Sequence, residues 1–313
     1  MSKSTPAPRN RKTRERHEAL TGWAFMAPFF LLFLLVFAIP ILVAIRQSFY
    51  REVAEGGGLY GGGDLKTTFV GFDNFVYAAT NPDFWSGMGR VIVYAAFQIP
   101  VMILAALALA LVLDSYLVKH NTIFRLGNFL PFAIPGIVAA MVWLYIYTPE
   151  LSPITQMLEP LGIHPDFMAK GWPILASMAN MTTWTYTGYN MLIFLAALQA
   201  IPHELYEAAR LDGASGWQIV RHVKVPLVSG AAMLAVLLSI IGTIQLFNEP
   251  SVMYSSNTWM GTSYTPMMMA YYTMFGQISP GGDGPASAIS ILMAIIAGAL
   301  AVIYAFAQRR TLR

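Results

Sequence analysis

The sequence predicts an all-α integral membrane protein with six transmembrane helices and both termini in the cytoplasm, on three observations. First, 56% of its 313 residues are apolar and only 11% are charged, against about 25% charged in an ordinary soluble domain. Second, the apolar residues arrive in blocks of about 20, the length that the hydrocarbon core of a bilayer demands of a helix. Third, Lys and Arg are concentrated in alternate connections between the blocks. Fourteen lie on the side that holds the N-terminus and 5 on the other, a bias that marks the first side as cytoplasmic.

The elements follow in chain order. Residues 1–22 form a basic cytoplasmic tail whose run RNRKTRER reads as an orientation signal and a contact for lipid headgroups. The block Trp23–Ile45 gives a first transmembrane helix at 23–46. It is longer than the core of a signal peptide and lacks a clear small-residue cleavage site, so it is expected to be retained. Residues 47–85 form an outside loop containing REVAEGGGLYGGGDLKTTFVGFDNF. Its glycines lack the Lys-Ser/Thr ending that a phosphate-cradling loop needs, and a flexible exposed loop is expected.

Five more blocks follow: Val91–Leu113, Phe129–Tyr147, Trp172–Ile201, Leu227–Asn248 and Pro285–Ala307, none with a Lys, Arg, Asp or Glu. Without water to satisfy the backbone, each is expected to be a helix. Pro28, Pro40, Pro100, Pro131 and Pro135 lie within blocks, where proline removes a donor and bends the helix. Static kinks are the plainer reading and gating hinges the alternative. Residues 309–313 form a second cytoplasmic tail.

Two blocks carry informative polar residues. Asn180, Thr183, Thr187 and Asn190 fall within about 80° of one another at 100° per residue, with Trp184 at the edge. Such a stripe either glues helices together or lines a hydrophilic pathway, in which amides and hydroxyls bond sugar hydroxyls and an aromatic ring covers a pyranose face. Gln245 and Asn248 at the outer end of the fifth block are placed to join such a pathway. Glu249, next in sequence, is expected to be a solvated charge at the helix end.

The segment EAARLDGASGWQIVRHVKVP, Glu207 to Pro226, is the most polar stretch of the second half. Pro202 suits the first position of a short helix, and Glu204 and Glu207 favour its N-terminal end. Leu205, Ala208, Ala209 and Leu211 give it a partly apolar side. Gly213 supplies the residue type that takes a left-handed turn. Ser215 is the expected N-cap of a second short helix carrying Trp217, Val220 and Val223, which Pro226 is expected to end. A helix lying on lipid favours bulkier residues than the Ala-Ala pair, so a protein partner is expected here.

Glu207-Ala208-Ala209, Asp212-Gly213-Ala214 and Pro226 together resemble the EAA loop of permease subunits in binding-protein-dependent ABC importers. RLGNFLPFAIPGIVAAMVW, from Arg125, and GYNMLIFLAALQAIPHELYEAARLDGAS, from Gly188, are similar to the carbohydrate branch of that family, which includes maltose and glycerol-phosphate permeases. FVGFDNF resembles the first of the two permeases in such systems. The likeness runs from Trp23 to Ala307. Val220 and Val223 depart from the Phe and Ile more usual there, and the large outside insertion and additional spans of the maltose-system permease are missing.

The resemblance implies a MetI-like permease core over 86–308, with a cytoplasmic coupling loop at 202–226 that docks in a groove of an ATPase. In it Glu207 engages the groove, Ala208, Ala209, Asp212 and Ala214 complete the motif, and Gly213 allows the bend. The implied partners are a second homologous permease subunit, two cytoplasmic ABC ATPase subunits and an extracytoplasmic sugar-binding protein, all at the cell membrane. ATP and Mg belong to the ATPase; this chain is expected to hold no cofactor and to do no covalent chemistry. The implied solute is a mono- or oligosaccharide, polyol or glycerol phosphate.

Other classes fit less well. The absence of Cys excludes disulfides and thiolate metal sites. The net charge of +3 is spread over four inside segments, as orientation requires, and does not point to nucleic acid. A secondary transporter usually carries intramembrane carboxylates or cations in its coupling path, and the six blocks have none. A membrane enzyme lacks support because His120, His164, His203 and His222 fall in loops. An ABC permease for amino acids or ions is opposed only by the carbohydrate-branch resemblance.

Overall fold

The computed structural model describes residues 11–55, 64–115, 121–257 and 259–311. Its first helix starts inside the basic tail, earlier than the apolar block, because Arg, Lys and Glu are themselves good helix formers. It comprises α1 (Arg11–Phe33), a π-helical turn (Leu34–Ala38) and α2 (Ile39–Gln47). In that turn Ile39 N–H bonds Leu34 O, five residues back, directly before Pro40. An α-helical path would drive the Pro40 ring into the carbonyl four residues earlier, and the wider turn relieves the clash. The same device recurs before Pro226.

The described residues of 47–85 carry regular secondary structure where the sequence predicts a flexible loop, and they make the fold not purely α. Strands β1 (Tyr50–Glu55) and β2 (Asp64–Phe69) pair antiparallel, from Tyr50 opposite Phe69 to Glu55 opposite Asp64. Residues 56–63, with most of the glycines, lie outside the described residues. Helix α3 (Asp73–Thr80) follows. Its fully buried Asn74 donates to Ser48 O (2.9 Å) and Tyr50 O (2.8 Å) and accepts from Arg51 Nε (2.8 Å), tying the hairpin to the helix.

Helix α4 (Pro82–Leu113) is capped by the Asn81 side chain, which accepts from Asp83 N–H. Its 32 residues make it about 48 Å long, more than a hydrocarbon core of about 30 Å needs. The third expected helix is instead two, α5 (Asn121–Ala133) and α6 (Gly136–Tyr147), bent by 96°. Pro135 caps α6 in a non-helical conformation and forces the residue before it out of the helical region. After α7 (Pro153–Leu158) and a 3-10 turn (Glu159–Leu161) comes α8 (Trp172–Gln199).

The polar segment then forms α9 (His203–Leu211), α10 (Gly216–Ile219), a π-helical turn (Val220–Lys224) and α11 (Val225–Leu227). Pro226 does not end the structure, because the wider turn before it lets the chain continue. Helices α12 (Ser229–Ile244), α13 (Asn248–Tyr254), α14 (Pro266–Met274) and α15 (Asp283–Thr311) complete the fold.

The core forms where α4, α8 and α12 pack. Met102, Ala106, Met191 and Phe194 are buried in one cluster of that core. Gly188 brings α8 against α5 so closely that a Cβ there would meet Asn128 O at 1.8 Å. Gly284 does the same for α15, where a Cβ would meet Tyr50 O at 1.8 Å, and so seats the hairpin on the last helix.

Four described helices are long and apolar enough to cross a membrane alone, or five spans if the bent α5–α6 pair is one. The remaining expected span, the fourth block now in α8, is long enough but not apolar enough to join them, because its middle carries Asn180, Thr182, Thr183, Thr185, Thr187 and Asn190.

Candidate solute cavity and coupling loop

A break in the fifth apolar block opens a cavity. Helix α12 ends at Ile244, and α13 restarts at Asn248 after Phe247 adopts φ −134°, ψ −49°. Thr265 Oγ1 donates to Leu246 O (2.9 Å) and holds the break in place. The turn directs Gln245, Asn248 and Glu249 into a cavity of about 490 Å³ that also opens onto α4, α5 and α8, within the range of about 300–1,000 Å³ common for small-molecule sites. Asn248 also lies against Gly136, where a Cβ would meet its Nδ2 at 2.6 Å. The break between α12 and α13 therefore meets the bend between α5 and α6.

One wall is a directed chain of hydrogen bonds. The buried Tyr94 hydroxyl donates to Thr182 Oγ1 (2.6 Å), and Thr182 donates to Glu249 Oε1 (2.9 Å). Aromatic rings line the cavity beside this chain of bonds: Phe132 stacks on Tyr189 with centroids 4.6 Å apart and meets Tyr186 at 5.7 Å. Amides and hydroxyls beside ring surfaces give the cavity both hydrogen-bonding and stacking capacity.

Of the residues expected in a pathway, Asn190, Gln245 and Asn248 line this cavity. Asn180, Thr183, Trp184 and Thr187 are not among its lining residues. Asn180 donates to Tyr147 Oη (2.8 Å), Thr187 donates to Thr183 O, and Trp184 packs edge-on against Trp143 at 5.8 Å. The cavity instead takes the adjacent face of α8, with Thr182, Tyr186 and Tyr189 beside Asn190. Glu249 is a correction: it lines the cavity and accepts a bond from Thr182, and is not a freely solvated end charge. The available signal was the polar cluster Gln245, Asn248 and Glu249 followed by Pro250, which marks a helix interruption.

At the far end of α8, the segment 202–226 folds as two short helices around a bend. Pro202 is the N-cap of α9, and Gly213 takes φ +80°, the left-handed region where glycine carries no steric cost. Ser215 caps α10 in a full capping box, its side chain accepting from Gln218 N–H while Gln218 Oε1 accepts from Ser215 N–H. Glu207 and Ala208 are exposed. So are Leu211, at 90%, and Trp217, at 72%, fractions that leave two large apolar side chains uncovered in this chain alone. Behind them, Lys224 Nζ bonds Asp114 Oδ2 at 2.6 Å and lies 5.4 Å from the centre of the Tyr206 ring. The pair anchors the bent segment to the end of α4.

Residues 76–313 match the family described as binding-protein-dependent transport system inner membrane component. The chain is 33% identical over 238 residues to the arabinooligosaccharides transport system permease protein AraP of Bacillus subtilis, covering 75% of this chain and 72% of that one. It is 31% identical over 247 residues to the lactose transport system permease protein LacF of Rhizobium radiobacter, covering 77% and 78%. Its fold matches a chain of a bacterial alginate ABC transporter solved in complex with an alginate pentasaccharide-bound periplasmic protein. There the TM-score is 0.76 at 17% identity, over 96% of this chain and 98% of that one.

Proposed function

The chain belongs to the family of binding-protein-dependent transport system inner membrane components, and on that premise we propose that it is a transmembrane permease subunit of an ATP-driven carbohydrate importer. The observation that carries the carbohydrate reading is the cavity, whose lining combines amides and hydroxyls with stacked aromatic rings. That chemistry suits a polyhydroxylated solute, and the permeases named for arabinooligosaccharides and lactose support the same class.

In this reading the chain crosses the cell membrane six times. The spans are α1–α2, α4, the α5–α6 pair, α8, α12–α13 and α15, and both termini and the segment 202–226 are cytoplasmic. A second permease subunit closes the pathway, which runs past Asn190, Gln245 and Asn248 and along the neighbouring face of α8 with Asn180, Thr183, Trp184 and Thr187. An extracytoplasmic binding protein delivers the solute. Two ATPase subunits hold ATP and Mg and do the hydrolysis; this chain does no covalent chemistry.

Glu207, Ala208, Ala209, Asp212, Gly213 and Ala214 couple the two processes by seating the bent segment in an ATPase groove, and the exposed Leu211 and Trp217 add apolar surface to that contact. ATP binding closes the ATPase pair, and the two short helices carry the motion to the spans. Hydrolysis resets them.

The test is uptake of labelled sugar into proteoliposomes holding the full set of subunits, with and without internal ATP at a fixed membrane potential. Uptake should stop when ATP is removed. Uptake that continues on the potential alone would make the chain part of a secondary transporter.

A further inference from the structure

We propose that Glu249 makes this cavity selective for uncharged saccharides and against anionic ones. The inference rests on the importer reading and adds the charge class of its solute. Among the described residues, 18 line the cavity and Glu249 is their one charged member; no Lys, Arg or His stands among them to neutralise it.

The direction of the hydrogen bonds fixes what Glu249 offers. Tyr94 gives its proton toward Thr182 and Thr182 gives its own to Glu249 Oε1, so donation converges on the carboxylate. An ionised carboxylate only accepts, and its two oxygens have about four acceptor positions. Thr182 fills one of them and the Glu249 backbone N–H another. Glu249 lines the cavity, where vicinal sugar hydroxyls would supply donors in pairs to the rest and Tyr186 and Tyr189 ring surfaces for the apolar sugar face.

The anionic group of a phosphate or uronate has no donor to give, whatever its neighbouring hydroxyls offer, and would bring a second negative charge into a confined site whose lining holds no countercharge. Rejection by an uncompensated like charge is an effective form of specificity. The relatives and neighbours divide on this point, because alginate is anionic while lactose and arabinooligosaccharides are neutral.

The experiment uses the complete transporter in proteoliposomes and four labelled solutes: lactose, arabinotriose, glycerol 3-phosphate and an alginate trisaccharide. The binding protein is kept constant, so a change of preference between permease variants reports on the cavity. Wild type should import at least one neutral sugar at ten times the rate of either anion or more. Glu249→Gln should lower that neutral uptake at least tenfold and raise the anion-to-neutral ratio at least fivefold.

A wild-type preference for an anion, or neutral uptake in Glu249→Gln equal to wild type, would overturn the inference and leave the importer reading intact. Uptake of these solutes that continues without ATP would overturn the importer reading as well. Should Glu249→Gln fail to assemble, as judged by co-elution of all subunits, Thr182→Val takes its place. It removes the bond that orients the carboxylate, must change the preference in the same direction, and contradicts the inference if it does not.

Discussion

At the scale of residues, two glycines carry distinct duties. Gly213 sits in open space at φ +80°, so a side chain there meets no neighbour and suffers only backbone strain, about 1–2 kcal/mol. Gly213→Val should therefore leave assembly intact while distorting the bend. Sugar uptake per ATP hydrolysed should fall at least fivefold, and a wild-type ratio would remove Gly213 from coupling. Glu207→Lys should lower the same ratio by reversing a charge on the exposed side of α9. Gly188 is the opposite case. A Cβ there would run into the Asn128 carbonyl, so Gly188→Ala must push α5 from α8 and cost roughly 1–3 kcal/mol. The thermal midpoint of the detergent-solubilised protein should drop, whereas Gly230→Ala, with nothing within 4 Å, should leave it level or raise it. Gly213 was readable from its place between two short helical patterns. Gly188 was not, because close approach between distant segments leaves no local mark.

At the scale of elements, the link between Asp114 and Lys224 joins α4 to the bent segment 202–226. Both side chains are about one-sixth exposed, so Asp114→Ala leaves a mostly buried ammonium without its carboxylate, a loss of roughly 1.5–3 kcal/mol. Uptake per ATP should fall at least threefold, and exchanging the pair, Asp114→Lys with Lys224→Asp, should restore at least half of it. Failure of the exchange to restore coupling, with the complex assembled, would mean that the pair only stabilises the fold. Apolar blocks made most helices legible, and Ser215 announced its cap. The breaks were harder. Pro131 and Pro135 signalled trouble in the third block without telling a kink from a 96° bend. The interruption after Ile244 depends on Thr265, distant in sequence, holding Leu246 O. For the same reason Glu249 looked solvated: only the tertiary turn carries it to Thr182. On α8 the polar residue types pointed to a hydrophilic face, yet the packing of α4 against α8 selected the face with Thr182 and Tyr186 for the cavity.

At the scale of the whole molecule, the first helix is the most unusual element, since no described residue of α1 is buried in this chain. Membrane lipid and a second permease are the surroundings that the importer reading supplies for it. Orientation is open to direct measurement because the chain has no native Cys. In intact cells Thr68→Cys, on β2, should react with a membrane-impermeant maleimide, and Ala208→Cys should react only after the membrane is opened; the reverse pattern would invert the topology. The claim on which everything else depends is that this chain works within a multi-subunit ATP-driven importer. The most direct test is to tag it in its native host, cross-link and solubilise gently, and identify the co-purifying proteins by mass spectrometry. A second permease of similar size, an ATPase with a phosphate-binding loop and a soluble binding protein are the predicted companions. Recovery of the chain alone after cross-linking would contradict the account.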